Sequence, residues 1–190
     1  MRKILAFICM IIFCFSLVGC GGGNSAIDKE TAKKISEIRK SDMSRPDKFA
    51  KSFEVLYGTP ITERTSFDLM DKNNAFYKAE YKQEIWQGAT GESGKIGEHS
   101  VAIINFGSAG QEGAENKKLR VCVNAATVEE AIEMFPSVVR ALDSKAPEQE
   151  IQELIDHLNE WGVKNGLFVG RLKGTFFRQN AGAQFILENK

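Results

Sequence analysis

Twice along this chain the spacing of apolar residues changes from three-or-four to strict alternation. That double change limits the fold more than any motif does. The stretch Glu148 to Trp161 sets Ile151, Leu154, Ile155, Leu158 and Trp161 at helical spacing, with Gly162 closing it. Before it, Thr127-Val-Glu-Glu130 has the form of a capping box, in which threonine and glutamate satisfy backbone N–H groups of the first turn. Val128, Ile132, Phe135, Val139 and Leu142 continue it as one stripe, and Pro136 predicts a kink or a break into two short helices. An earlier helix pair has the same character. Ser25 to Lys40 is weakly amphipathic through Ile27, Ile35 and Ile38. The next helix has Ser44 as cap, Pro46 and Asp47 in its first turn, Phe49, Phe53 and Leu56 on one face, and Gly58 then Pro60 as the stop.

Between the pairs the period is that of strands. TSFDLM and FYKAEYKQEIW read as a hairpin across DKNN, HSVAIINFG as a central strand, and KKLRVCVNA as a strand with Leu119, Val121 and Val123 on one face. The polar segment GSAGQEGAENK reads as the loop between the last two, and together the four suggest an antiparallel meander. The chain returns to strand character in GLFVGRLKGTFFRQ and AQFILE, with NAG as the turn. The expected architecture is α+β: an antiparallel sheet of about six strands with amphipathic helices packed on one face, formed by residues 28–190 as a single globular domain. No internal sequence repeat stands out, although the order helix pair, strands, helix pair, strands hints at one. That order is similar to the one in BLIP-like small envelope lipoproteins, a likeness of fold that says little about function.

The glycine-rich GATGESGKIG, Gly88 to Gly97, comes close to a phosphate-binding loop. Such a loop needs a helix immediately after it, and a Ser or Thr after the lysine to hold magnesium. Here Ile96 follows Lys95, and the chain runs on into the strand-like HSVAII. The expectation is a long, flexible loop between two strands and no nucleotide. Trp86 beside this stretch, with Lys95 and His99, forms a possible weak binding patch.

The first residues carry an address. Arg2 and Lys3 precede an apolar run, Ile4 to Val18, that is shorter than the roughly 20 residues a membrane span needs. The run ends in Leu17-Val18-Gly19-Cys20, which resembles the lipobox of bacterial lipoprotein signal peptides. The resemblance implies a signal peptide over 1–19, a lipidated Cys20, and a lipid-anchored protein of the cell membrane or outer membrane, facing outside the cytoplasm. Residues 20–27, with Gly21, Gly22 and Gly23, have the composition of a flexible tether.

Cleavage there leaves 23 basic residues against 25 acidic, a balance that argues against nucleic acid. Cys9 and Cys14 leave with the signal and Cys20 takes lipid, so Cys122 is the remaining thiol and has no cysteine to pair with. Inside LRVCVNA it reads as buried and inert, with a catalytic thiol as the sharp alternative.

His157 shares a helical side with Glu153 and Glu160, a set that suits a metal or proton transfer only if partners converge on it. Nine acidic residues between Thr127 and Glu160 oppose a basic final segment with Lys164, Arg171, Lys173 and Arg178. No catalytic motif, cofactor motif or metal-ligand spacing appears. The expected role is non-enzymatic binding or assembly in the cell envelope, with an unknown envelope protein or small ligand as partner. A contiguous aromatic surface from Trp86, Phe106, Phe176 and Phe177 would favour it. The alternatives are a small-ligand carrier with an apolar cavity between sheet and helices, and an unrecognised envelope hydrolase.

Overall fold

The computed structural model describes residues 27–67, 90–105, 118–179 and 182–189. The chain is α+β. Helices α1 (Lys29–Lys40) and α2 (Arg45–Tyr57) are followed by strands β1 (Thr62–Phe67), β2 (Thr90–Ile96), β3 (His99–Asn105) and β4 (Leu119–Ala125). Helices α3 (Val128–Leu142) and α4 (Glu148–Leu158) then precede β5 (Gly162–Val169), β6 (Leu172–Gln179) and β7 (Gly182–Asn189). One antiparallel sheet of seven described strands results, in the order β1-β2-β3-β4-β7-β6-β5. Each helix pair thus leads into its own meander, and the two meanders join through their last strands, β4 and β7. The repeat hinted at by element order is therefore architectural.

Local chemistry sets the helix ends. Asp28 caps α1, its side chain accepting from the N–H groups of Glu30 and Thr31. The helix therefore starts after the expected Ser25, a residue outside those described. Ser44 caps α2, and Gly58 ends it at φ +82°, a conformation that favours glycine. The capping box at Thr127 forms in full, with Thr127 N–H donating to Glu130 Oε2 at 2.9 Å. Pro136 does not break α3, which runs on through it as one helix. The fourth helix ends at Leu158, short of the expected Trp161, which is 66 % exposed.

The strand count departs from six at two places. The glycine-rich stretch is not a loop, because Thr90–Ile96 is strand β2, paired with β1 on one side and β3 on the other. GLFVGRLKGTFFRQ is not one strand but the hairpin β5–β6, turning at Gly170-Arg171. The β2–β3 and β5–β6 turns share one device, a two-residue loop whose first residue is glycine at positive φ (Gly97 at +59°, Gly170 at +54°). The expected strand FYKAEYKQEIW, the DKNN turn and the GSAGQEGAENK loop lie outside the described residues.

The core joins Phe49 and Phe53 of α2, Phe135 and Val139 of α3, and Ile151 and Leu154 of α4 to alternate strand residues. Those strand residues include Val101, Val121, Val123, Phe176, Phe185 and Leu187. The expected partition of LRVCVNA holds, with Leu119, Val121 and Val123 in that core. HSVAIINFG is buried on both faces as expected, at Val101, Ala102, Ile103 and Ile104. Phe176 is buried too, so it contributes nothing to a surface, while Trp86 and Phe106 lie outside the described residues.

Candidate functional site

The strand residues outside the core cluster form rows across the sheet, set by the cross-strand register. One row runs Val163, Phe177, Gln184, Asn124, Ser100 and Lys95. The next runs Thr175, Ile186, Cys122, Ala102 and Ser93. A third runs Phe168, Lys173, Glu188, Arg120 and Ile104, where Arg120 Nη2 bonds Glu188 Oε2 at 2.6 Å. The β5 end is the most apolar exposed part, with Val163 49 % and Phe168 51 % exposed.

Within the middle row Cys122 is buried, and Gln184 Nε2 lies 3.3 Å from its sulfur. Burial pushes the thiol up to about 11, against the opposing pull of the Gln184 hydrogen bond and the Arg120 charge. The group is therefore a protonated thiol at neutral pH, the state of an inert cysteine.

The sequence places Lys95 and His99 side by side, and the structure separates them. Ile96 pairs with His99 and Lys95 with Ser100, so the two side chains belong to opposite faces. Lys95 Nζ binds Glu63 Oε2 at 2.7 Å. On the core side, His99 Nε2 lies 3.8 Å from Glu130 Oε1 in the first turn of α3. Trp86, the third member of that patch, lies outside the described residues, as does Cys20.

His157, Glu153 and Glu160 are not one constellation either. His157 Nδ1 and Glu160 Oε1 are 3.0 Å apart, while Glu153 Oε1 accepts from Gln149 Nε2 instead. The hydrogen bonds from Lys164 and His157 hold the Glu160 carboxyl below its ordinary value. Among the described residues no group of three or more His, Cys, Asp or Glu is placed to hold a metal ion.

A second feature lies between α1 and the α3–α4 junction: a groove of about 730 Å³, within the range of roughly 300–1,000 Å³ typical of small-molecule sites. Its apolar side is Ile27, Ala32, Ile35 and Ala146, and its polar side includes Arg39, Lys40, Arg140 and Glu148. The arrangement follows from how the end of α3 is satisfied. Arg39 Nη2 donates to the backbone carbonyls of Arg140 and Ala141, both at 3.2 Å, supplying donors to a helix end that lacks them. Burial lowers the Arg39 pKa and the neighbouring Arg171 charge lowers it further, with the Asp143 carboxylate acting the other way.

Asp143, the C-cap of α3, is 2 % exposed and ties the same corner to the β5–β6 turn. Its oxygens accept from Arg171 N–H, Nε and Nη2 at 3.1, 3.3 and 3.1 Å, and from Lys145 N–H at 3.1 Å. The acidic helix pair and the basic final segment therefore do meet within the fold. Burial pushes the Asp143 carboxyl upward. The Arg171 and Lys145 hydrogen bonds, with the Arg171 charge, outweigh burial and hold it below the ordinary 3.8.

With the native pKa depressed, the stabilisation is fully present above pH 3.8 and is lost as the pH falls through the lower native value. Replacing Asp143 with Asn is expected to cost about 1–2 kcal/mol at pH 7, because hydrogen bonds to a charged group are replaced by neutral ones. Urea denaturation against pH checks this: the gap between wild type and variant narrows in acid, and a gap independent of pH would assign the cost to packing.

The groove was not legible in the sequence, because α1 and the α3–α4 junction are a hundred residues apart in the chain. The one local signal was the basic end of α1, Arg39-Lys40. No family model, no curated protein and no solved structure matches this chain. The likeness to BLIP-like lipoproteins therefore rests on element order alone.

Proposed function

We propose that the protein is a lipid-anchored, extracytoplasmic envelope protein that acts by non-enzymatic binding or assembly. In this reading Cys20 carries the acyl chains and residues 21–27 form the tether. Helices α2, α3 and α4 lie against the described strands while α1 packs on α2, and in this reading the sheet face away from them meets a partner. The observation that supports it most directly is the exposure of Val163 and Phe168 on β5, which has only β6 beside it among the described strands. Exposed apolar side chains on this strand suit contact with a protein partner. Lys164 and the register irregularity between Asn165 and Leu167 lie on the same strand, and both guard against indiscriminate edge pairing.

Anchoring by one acyl chain is marginal and by two or more is stable, so the chemistry at Cys20 decides whether the protein stays at a membrane. No helix among the described residues is long and apolar enough to cross one. Intact mass of the membrane-extracted protein, wild type against Cys20→Ala, is the test. The expected species begins at Cys20 and is heavier by acyl chains, and that species is absent in the variant. An unacylated, freely released product would sink the reading and bring a secreted hydrolase or soluble carrier forward. The small-ligand carrier draws separate support from the groove, which lies between helices and not between sheet and helices as expected.

A further inference from the structure

The groove under α1 has the chemistry of an amphiphile site. One side is apolar, formed by Ile27, Ala32, Ile35 and Ala146, and Ile35 is only 2 % exposed at its base. The other side gathers three cations, Arg39, Lys40 and Arg140, against one carboxylate, Glu148. Arg140 pairs with Glu148, and Arg39 commits one nitrogen to the end of α3. Lys40 has no partner among the described residues, so its charge is available to a ligand. An occupant that satisfies both sides has a hydrocarbon chain and an anionic head. Position supplies the source. Ile27, in the groove wall, lies seven residues beyond Cys20, a reach of at most about 25 Å when fully extended.

We infer that this groove binds an anionic phospholipid of the membrane that holds the protein. An acyl chain lies along Ile35 and Ala146, and the phosphate meets Lys40. The inference rests on the lipid-anchored reading, since that tether is what keeps the groove at a bilayer surface. Bound lipid also fixes how the domain sits. With α1 at the membrane, the domain's orientation is set by the groove and no longer left to a glycine-rich tether alone.

The test uses the full chain in membranes containing either of two photoreactive probes, a diazirine-acyl phosphatidylglycerol or the matching phosphatidylcholine. Label is mapped by peptide, and intact mass is taken on the same samples. The expected result is label concentrated in peptides covering 27–40 and 140–148, favouring phosphatidylglycerol. Lys40→Glu should reduce that label about fivefold or more, since each cation near an anionic surface is worth roughly one kcal/mol. Ala32→Trp, which fills the groove, should abolish it. The Lys40 side chain makes no hydrogen bond or ion pair among the described residues, so the first variant reports on binding even if the second folds poorly.

Acylated protein with label spread evenly, or equal label from both probes, would overturn the groove and leave the anchor standing. Unacylated protein with groove label retained would do the reverse. Label that appears only after residues 21–26 are deleted would show the chain's own tether as the occupant and overturn the lipid.

Discussion

Replacing Phe135 with Ala should cost about 4 kcal/mol, a quarter or more of the roughly 5–15 kcal/mol that holds a domain together. Phe135 is fully buried on α3. Its ring centroid lies 5.5 Å from that of Phe176 on β6, and 5.2 Å from that of Phe185 on β7 in an edge-on contact. Phe176 and Phe185 are themselves cross-strand partners, so one helix side chain closes a three-ring cluster over the β6–β7 ladder. The loss therefore combines the transfer energy of a large side chain, a cavity that three elements cannot easily collapse, and two aromatic contacts.

Phe135→Leu keeps most of the volume and should cost far less, about 1–2 kcal/mol. Urea denaturation followed by circular dichroism gives both values. For Ala the melting temperature should fall by roughly 8–16 °C. A loss under 1 kcal/mol for Ala would mean that the α3 stripe does not seat on these two strands.

That stripe was legible because its chemistry is local. The capping box at Thr127 fixes where α3 begins, and the three-and-four spacing fixes which side of it is buried, so the local sequence alone puts Phe135 on the core stripe. The Ser44 and Gly58 ends of α2 were legible for the same reason. Trp161 shows the limit of spacing as a guide. It continues the period of α4, but the helix stops at Leu158 and Gly162 takes φ +96° to open β5, leaving Trp161 under the Arg178 guanidinium at 4.9 Å. A periodic position is buried only if the helix that carries it is still there.

The separation of Lys95 and His99 came from a turn that the sequence did not advertise. Gly97-Glu98 has glycine in the place a tight hairpin requires, but four glycines within ten residues read as looseness, and a loop has no faces. Once the hairpin is placed, alternation alone sends the two side chains apart. The groove is a different kind of omission. Its walls come from α1 and from the α3–α4 junction, and no window of sequence contains both.

The sharpest contest between the two readings of the glycine-rich stretch lies at Gly94. In a flexible loop, Gly94→Ala is neutral or stabilises by about 0.4–1 kcal/mol, because it restricts the unfolded chain. In strand β2 the site is closed. A Cβ there would stand 2.8 Å from Ile61 Cγ2 and 2.9 Å from the Thr62 carbonyl oxygen. The close approach follows from β1, whose register shifts between Thr62 and Thr65 where Glu63 sits at φ +51°. The obstacle includes backbone, so no rotamer change relieves it, and the β1–β2 ladder must move apart.

Gly94→Ala should therefore destabilise by about 1–2 kcal/mol, and Gly94→Val by about 3 kcal/mol despite the high strand propensity of valine. The two readings differ in sign for alanine, and the structure alone predicts that the larger, better strand former is the worse substitution. Urea denaturation of the two variants decides it. A stabilised Gly94→Ala would return residues 88–97 to a loop and remove β2 from the centre of the β1–β3 ladder.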